Sequence, residues 1–189
     1  ILGASQSGHV AAVGYDMFLQ LMEEAVADLK GEPVVQPLDP EINIQLSAYF
    51  SEVYIPDIDQ RMLLYRRLAR MSELHEIADI RAELADRFGP LPDEATHLLF
   101  KIMLKVLARQ AGVGRLDLRG PKLVLVFSAA HVKNAPAVTQ LIQSDPCRFD
   151  ISPDGLLTAS LTTQGTVGQL AQAKNILQAI GRRVNTQEN

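Results

Sequence analysis

His75 and Asp79 have the types and spacing that could do chemistry, because they lie four positions apart. In a helix this spacing puts both side chains on one face, where an imidazole and a carboxylate could share a metal ion. The same spacing is equally typical of an ordinary exposed helix pair, and the other histidines, His9, His97 and His131, lie far away in sequence. The pair therefore supplies an enzymatic hypothesis, but we predict no metal site.

Cys147 is the single cysteine of the chain, and Arg148 follows it directly. A neighbouring guanidinium can stabilise a thiolate nucleophile, whereas a merely tolerated cysteine is the alternative interpretation. One cysteine excludes an internal disulfide framework and an all-cysteine metal site. This composition favours a reducing, cytoplasmic location. No apolar run approaches the roughly 18 residues that span a bilayer, so we expect no contact with a membrane.

The sequence predicts no nucleotide-binding or nucleotide-hydrolysing site. No glycine is followed by lysine anywhere, so a phosphate-binding loop with its lysine is missing. Asp93-Glu94-Ala95-Thr96 has the form of an Asp-Glu-Ala-x helicase box, but such a box ends a buried strand. Here Gly89-Pro90-Leu91-Pro92 precedes it and predicts a helix start, where two acids complement the helix dipole. We therefore expect no catalytic residue and no bound cofactor in this chain.

Charge is unevenly distributed over the 189 residues, which have a net charge of −4. Residues 1–56 contain eight acids and one base, whereas residues 95–189 contain five acids and eleven bases. Basic side chains cluster at Arg66, Arg67 and Arg70, and again at Arg182 and Arg183. The basic half suggests a nucleic-acid-binding domain, while the low aromatic content of 5% argues against a stacking platform for single strands. A salt-bridged protein surface is the alternative.

The elements that would position these groups begin with a loop at Ile1–Ala12 and a helix over Val13–Leu29. Three prolines then predict an extended linker at residues 32–41, with a short half-buried strand over Ile42–Leu46. The chain opens at Ile1 without Met, so we expect it to be part of a longer protein.

Three helices are predicted after the strand. Asp57 can cap the first helix, with Gln60 three residues on, and its buried stripe is expected to comprise Met62, Tyr65, Leu68 and Ala69. Ser72 is the expected cap of the second helix, which should end at Phe88-Gly89-Pro90. Pro92 suits the first turn of the third helix, which should continue to Gly112.

The rest of the chain, from Arg115 onward, is predicted to form two successive strand–strand–helix units. The predicted strands and helices are Arg115–Leu118, Lys122–Phe127, helix His131–Gln143, Phe149–Ile151, Leu156–Leu161 and helix Val167–Ile180, stopped by Gly181. The fold class is therefore α+β: an N-terminal helical segment and linker, a helical group, and a small, mainly antiparallel sheet with helices packed on one face.

Several motifs resemble those of a known family. These are Gln6-Ser7-Gly8-His9, Val13-Gly14-Tyr15-Asp16, Tyr54-Ile55-Pro56-Asp57, Tyr65-Arg66-Arg67 and Asp86-Arg87-Phe88-Gly89-Pro90-Leu91-Pro92. They resemble the bacterial transcription-repair coupling factors, large ATP-driven DNA translocases related to RecG. The resemblance runs from Ile1 to about Gly114.

The resemblance implies three parts. Residues 1–31 would be the tail of a translocation motif, with Gln6, Ser7, Gly8 and His9 in its loop near duplex DNA. Residues 32–41 would be the linker, and 42–189 a C-terminal regulatory α+β domain. The family's ATP- and Mg-binding motor motifs would lie upstream, so this part would have no ATPase activity.

The resemblance also implies partners. In the family the C-terminal domain packs on the parent's N-terminal UvrB-like module, which hides the surface that recruits UvrA, and the parent engages stalled RNA polymerase. The candidate interdomain surface comprises Arg66, Arg67, Arg70, Glu76, Asp79 and Glu83. Three hypotheses thus stand at this point: a non-catalytic autoinhibitory latch, a nucleic-acid-binding domain, and an enzyme using His75, Asp79 or Cys147.

Overall fold

The computed structural model of the chain describes residues 38–128, 135–152 and 155–187. In chain order, the elements of this part are β1 (Glu41–Ile44), α1 (Ile58–Arg70), α2 (Leu74–Phe88), α3 (Asp93–Gln110), β2 (Val113–Arg119), β3 (Lys122–Phe127), α4 (Ala135–Ser144), β4 (Phe149–Ile151), β5 (Leu156–Ser160) and α5 (Thr166–Gln187). The chain divides into two compact units at Pro37/Leu38, a position within the predicted linker. The roles assigned to the three parts of the chain stay predictions.

The strands form one sheet in the order β1-β2-β3-β5-β4. β1 runs parallel to β2, and the other three neighbouring pairs are antiparallel. Alternate residues of the strands are buried on one face, for example Leu116 opposite Leu125 and Leu123 opposite Ala159. These residues share one hydrophobic cluster with residues of α3, α4 and α5. The predicted α+β class, with a mainly antiparallel sheet and helices on one face, is confirmed.

A second hydrophobic cluster holds α1, α2 and α3 together. Its fully buried members include Ile55, Leu64, Ile80 and Leu84. α3 contributes to both clusters, because Leu104 and Leu107 face the sheet while Leu98 and Val106 face α1 and α2. Helix α3 is therefore the structural link between the helical group and the sheet.

Local signals correctly predict the start of α1, the end of α2 and the start of α3. The Asp57 carboxylate accepts a hydrogen bond from the backbone N–H of Gln60 at 2.9 Å, as expected for the start of α1. Gly89 ends α2 with φ of 84°, a left-handed conformation that favours glycine. Pro92 directly precedes α3.

Three sequence predictions are wrong in detail. The N-cap of α2 is Glu73, and Ser72 instead donates its backbone N–H to the Glu76 carboxylate at 2.8 Å. The buried stripe of α1 contains Leu68, as predicted, but its other buried residue is Leu64, and Met62 and Ala69 are exposed. Helix α5 continues through Gly181 to Gln187, because this glycine is buried against α3 and does not adopt positive φ.

No helix in the described ranges is long and apolar enough to cross a membrane.

Candidate interaction surface

Two residues of the candidate surface, Arg67 and Glu83, form a network with Arg87 that joins α1 to α2. Arg67 Nη1 lies 2.8 Å from Glu83 Oε2, and Arg87 Nη1 lies 2.7 Å from Glu83 Oε1. Arg87 also donates to the side-chain oxygen of Gln60 at 3.1 Å. The network therefore spans from the first turn of α1 to the last turn of α2. It fixes the relative position of the two helices.

The Glu83 carboxylate is held in its charged form by this network. The hydrogen bond from Arg87 is the main cause that lowers the pKa of Glu83, and Arg67 adds to the effect. Partial burial of the carboxylate opposes this shift. Because the side chains are partly solvated, water and salt weaken the attraction, so the network orients the helices more than it stabilises them.

Glu76 has a different role, because it closes the first turn of α2. Its Oε2 accepts hydrogen bonds from the backbone N–H groups of Ser72 and Glu73, both at 2.8 Å. These two hydrogen bonds, first that from Glu73, lower the pKa of Glu76. A carboxylate here also complements the positive end of the helix dipole. Glu76 is therefore occupied with capping.

The rest of the predicted surface residues are exposed. Asp79 lies on α2 and Arg66 and Arg70 lie on α1, all with solvent-exposed side chains. The structure thus joins Arg67 to Glu83, uses Glu76 within its own helix, and leaves Asp79 and Arg66 facing solvent. Gln6, Ser7, Gly8 and His9, like the predicted helix at Val13–Leu29, lie outside the described residues.

A ridge on the outer side of α1 contains large apolar side chains that sequence reasoning did not predict. Ile58, Met62, Arg66 and Arg70 follow one another at four-residue spacing, so they form one row along the helix. Leu63 lies beside this row. Ile58 is 57% exposed and Leu63 is 58% exposed. We call these five residues the α1 outer ridge; it is apolar at its N-terminal half and basic at its C-terminal half.

The ridge is presented on a rigid support. Arg61 donates to the backbone carbonyls of Ile55 at 2.5 Å and Pro56 at 3.0 Å. The Tyr65 hydroxyl accepts from the backbone N–H of Phe50 at 2.8 Å, and the two rings pack with centroids 5.3 Å apart. These contacts fix α1 from its inner side, so the outer ridge has a defined shape before any partner binds.

Tyr54 ties the preceding loop to the end of α2. Its hydroxyl donates to the backbone carbonyls of Leu84 at 3.2 Å and Gly89 at 3.1 Å. Burial raises the pKa of the Tyr54 phenol, so it remains a protonated donor. Its ring packs edge-on against Phe88, with centroids 5.9 Å apart. The loop, α1 and α2 therefore form one connected surface.

The residues of the enzymatic hypothesis do not gather into a site. His75 and Asp79 are exposed on α2, and Cys147 is a free, exposed cysteine before β4. Across residues 38–128, 135–152 and 155–187, no group of three or more histidine, cysteine or acidic side chains could hold a metal ion.

Several basic residues of the C-terminal half make contacts within the domain. Lys105 lies 2.6 Å from the Asp39 carboxylate, and Arg115 lies 3.1 Å from that of Asp117. Arg148 stacks over Phe149 at 5.4 Å from the ring centroid. These three basic side chains therefore have partners within the domain.

Part of the network was within reach of sequence reasoning. Glu83 and Arg87 lie four positions apart, which is the spacing of a helix ion pair. Gln60 and Arg67 lie 27 and 16 positions from their partners, so no local pattern indicates these contacts.

Comparison with known proteins agrees with the sequence motifs. The model of the TRCF domain matches residues 44–138. The Myxococcus xanthus transcription-repair-coupling factor is 35% identical over 94% of this chain and 15% of its own length. That of Escherichia coli K12 is 31% identical over 79% of this chain and 13% of its own length. The chain thus spans between 10% and 15% of the length of these relatives.

Among solved structures, the C-terminal domain of a transcription-repair coupling factor has a similar fold. The TM-score is 0.66 at 18% identity, and the match covers 75% of this chain and 91% of the other. This likeness supports the α+β architecture, and the sequence matches support the family. The resemblance inferred from the motifs is confirmed: the chain belongs to the transcription-repair-coupling factor family.

Proposed function

We propose that residues 42–189 form a non-catalytic regulatory domain that docks on the UvrB-like N-terminal module of the same parent protein. In the docked state the domain acts as an autoinhibitory latch, because it covers the surface that recruits UvrA. The parent's ATP- and Mg-dependent motor, its movement on duplex DNA and its contact with stalled RNA polymerase belong to the same proposal. Residues 1–31 would be the tail of the translocation motif.

The α1 outer ridge is the observation that carries this proposal. Large exposed apolar side chains grouped on one helix face are typical of protein interaction surfaces. Leu63 and Met62 supply apolar contact area, and Arg66 beside them supplies charge, which gives specificity and fast exchange rather than high affinity. A latch must open when the motor engages its target, so a small mixed surface suits it better than a wide apolar one.

Substitution of the ridge in the intact parent protein tests the latch. Leu63→Asp combined with Arg66→Glu removes apolar area and reverses a charge, so the latch should open and UvrA binding to the parent should increase at least several-fold. The matched control is Val167→Asp with Arg119→Glu, which changes an exposed aliphatic residue and an exposed arginine elsewhere. Unchanged UvrA binding in the ridge variant, with intact folding, contradicts the latch.

Direct titration of this chain against the separately expressed N-terminal module tests the partner. One-to-one binding that weakens with salt and with the ridge substitutions supports the proposal. Duplex DNA serves as the competing partner: binding that falls steeply with salt and is lost on reversal of Arg115, Arg119 and Lys122 would favour the nucleic-acid alternative.

A further inference from the structure

A groove lies on the opposite side of α2 from the ion-pair network, between α2, α3 and α5. Its floor is apolar and is built from Leu74 and Ile77 of α2 and Leu99, Phe100 and Met103 of α3. The cavity has a volume of about 290 Å³. A second depression of about 220 Å³ continues past Leu74 toward Leu107 and Leu177.

The two depressions together follow α3 from Thr96 to Gln110. At a rise of 1.5 Å per residue this is roughly 21 Å, which is the length of a helix of about 14 residues. The first depression has an apolar floor, and the second adds the polar side chains of Gln110, Gln178 and Arg182. An apolar floor between helical walls is the geometry in which an amphipathic helix places its apolar face. Met103 adds an adaptable surface, because its unbranched side chain can adjust to an incoming residue.

Charge on the rim indicates what kind of helix fits. Arg81 of α2 and Lys174 of α5 border the cavity on its two sides. Within the described part of the chain, neither has a carboxylate partner. Two cations without counter-charge beside apolar surface complement an acidic ligand.

The acids nearest to Arg81 along α2 lie on the other side of that helix, and α5 supplies none beside Lys174. Asp79 and Glu83 are each two positions from Arg81, which at 100° per residue turns them about 160° away around α2. Helix α5 contains no acidic residue between Thr166 and Gln187. The rim is therefore basic on both walls.

We infer that this groove is a docking site for an acidic amphipathic helix of a partner protein. Apolar side chains of that helix at three- and four-residue spacing occupy the floor over Phe100 and Met103, and carboxylates on its two flanks pair with Arg81 and Lys174. This surface is separate from the α1 outer ridge, so the domain can hold one partner at the groove while the ridge is bound or released. An apolar floor of this size offers little to a nucleic-acid backbone.

The test uses a designed 15-residue peptide with leucines at three- and four-residue spacing and glutamates on both flanks. The chain has five methionines, and two of them report on the two surfaces. Met103 lies in the groove and Met62 lies on the ridge. With ¹³C-methyl-labelled methionine, the peptide should shift the Met103 signal and leave that of Met62 unchanged.

Affinity of the same peptide, measured by fluorescence anisotropy, should fall at least tenfold in Arg81→Glu/Lys174→Glu. The matched variant Arg119→Glu/Lys122→Glu has the same net charge but lies outside both the groove and the ridge, and it should lose less than twofold. A scrambled peptide of identical composition should bind at least tenfold more weakly than the designed one.

Three results would overturn the inference: equal binding of the scrambled peptide, equal losses in both double variants, or a shift of Met62 in place of Met103. A shift of Met103 caused by a short duplex DNA but not by the peptide would also overturn it. The outcome is independent of the latch, because UvrA and the N-terminal module are absent from this experiment.

Discussion

The two sides of α2 carry charge in different ways. On the side that faces α1, Glu83 meets both Arg67 and Arg87 within 2.8 Å. On the side that faces the groove, Arg81 lies beside apolar side chains without such a counter-charge. Charges that meet inside the domain set the position of its helices, whereas charges left beside apolar surface are available to a partner. The residue types alone cannot show which arginines pair within the domain and which face a partner, because both sides of α2 contain arginine.

The largest expected difference in stability is between a buried and an exposed leucine of α1. Leu64 is 2% exposed and Leu63 is 58% exposed, so the same substitution can be made at neighbouring positions of one helix. Leu64→Ala should lower the free energy of unfolding by about 2–5 kcal/mol, because it leaves a cavity in the core. Leu63→Ala should change it by less than about 0.5 kcal/mol. Urea unfolding of the two variants checks the pair.

Equal losses for Leu63→Ala and Leu64→Ala would show that the outer ridge is packed within the domain, and would remove it as a docking surface.

Two glycines, one near the network and one beside the groove, should respond to alanine in opposite directions. Gly89 has φ of 84° and ψ of −168°, a conformation open essentially to glycine alone, so Gly89→Ala should cost about 1–3 kcal/mol. Gly181 lies inside α5, and an added Cβ would meet the backbone of Gln110 at 3.9 Å, an ordinary contact. Gly181→Ala should therefore stabilise the domain by about 0.5–1 kcal/mol.

Thermal unfolding of both glycine variants checks the signs. A loss of stability in Gly181→Ala would mean that α5 cannot approach α3 with a Cβ at this position. It would also mean that α5 is not a regular helix where it forms the wall of the groove.

The same two glycines show how far local sequence signals reach. Gly89 before Pro90 predicts a helix end correctly because glycine and proline act on the backbone at that point. Gly181 looks similar in sequence, but helix α5 continues because packing against α3 stabilises it. Ser72 was likewise a reasonable cap, yet the long Glu76 side chain reaches the N–H groups of both Ser72 and Glu73.

Tertiary contacts decide the features that the sequence leaves open. Helix α1 contains apolar residues on two sides, so its pattern allows either Leu64 or Met62 and Ala69 to be buried together with Leu68. The parallel pairing of β1 with β2 joins Ile42 to Leu116, a separation that no local pattern indicates. At the candidate surface, the four-residue spacing predicts the ion pair between Glu83 and Arg87. The contact of Glu83 with Arg67 can be seen only once the packing of α1 against α2 is known.

The ion pair across α1 and α2 should have a small but measurable effect on stability. A double-mutant cycle with Arg67→Ala and Glu83→Ala should give a coupling of about 0.2–1 kcal/mol, as for other partly exposed pairs. Arg81→Ala, at the groove, should leave stability nearly unchanged because the structure gives it no acidic partner in the described residues. A large loss in Arg81→Ala would show that the groove cation is structural, and would weaken its assignment to a partner.

The carboxylates on the side of α2 that carries the ion-pair network should also make the stability of the domain depend on pH in the acid range. Glu76 and Glu83 both have a pKa below the ordinary value of 4.5, because backbone N–H groups and Arg87, respectively, favour the charged carboxylate. The unfolded chain therefore binds more protons than the folded chain as the pH falls below 4.5. The stabilisation is complete above this pH and is lost as the pH falls through the lower folded values.

Glu76→Gln and Glu83→Gln should each reduce the slope of stability against pH in this acid range, since glutamine keeps hydrogen-bonding capacity and cannot titrate. The difference from the parent chain should be full near pH 7 and shrink toward pH 3. Asp79→Asn is the matched control, because Asp79 is exposed on the same helix and its side chain has no ion pair or hydrogen bond within the described residues. Urea unfolding between pH 3 and pH 7 measures all three. An equal change of slope in Asp79→Asn would mean that general charge on α2, rather than the specific contacts of Glu76 and Glu83, sets its acid sensitivity, and the contrast between the two sides of α2 would then not depend on paired charge.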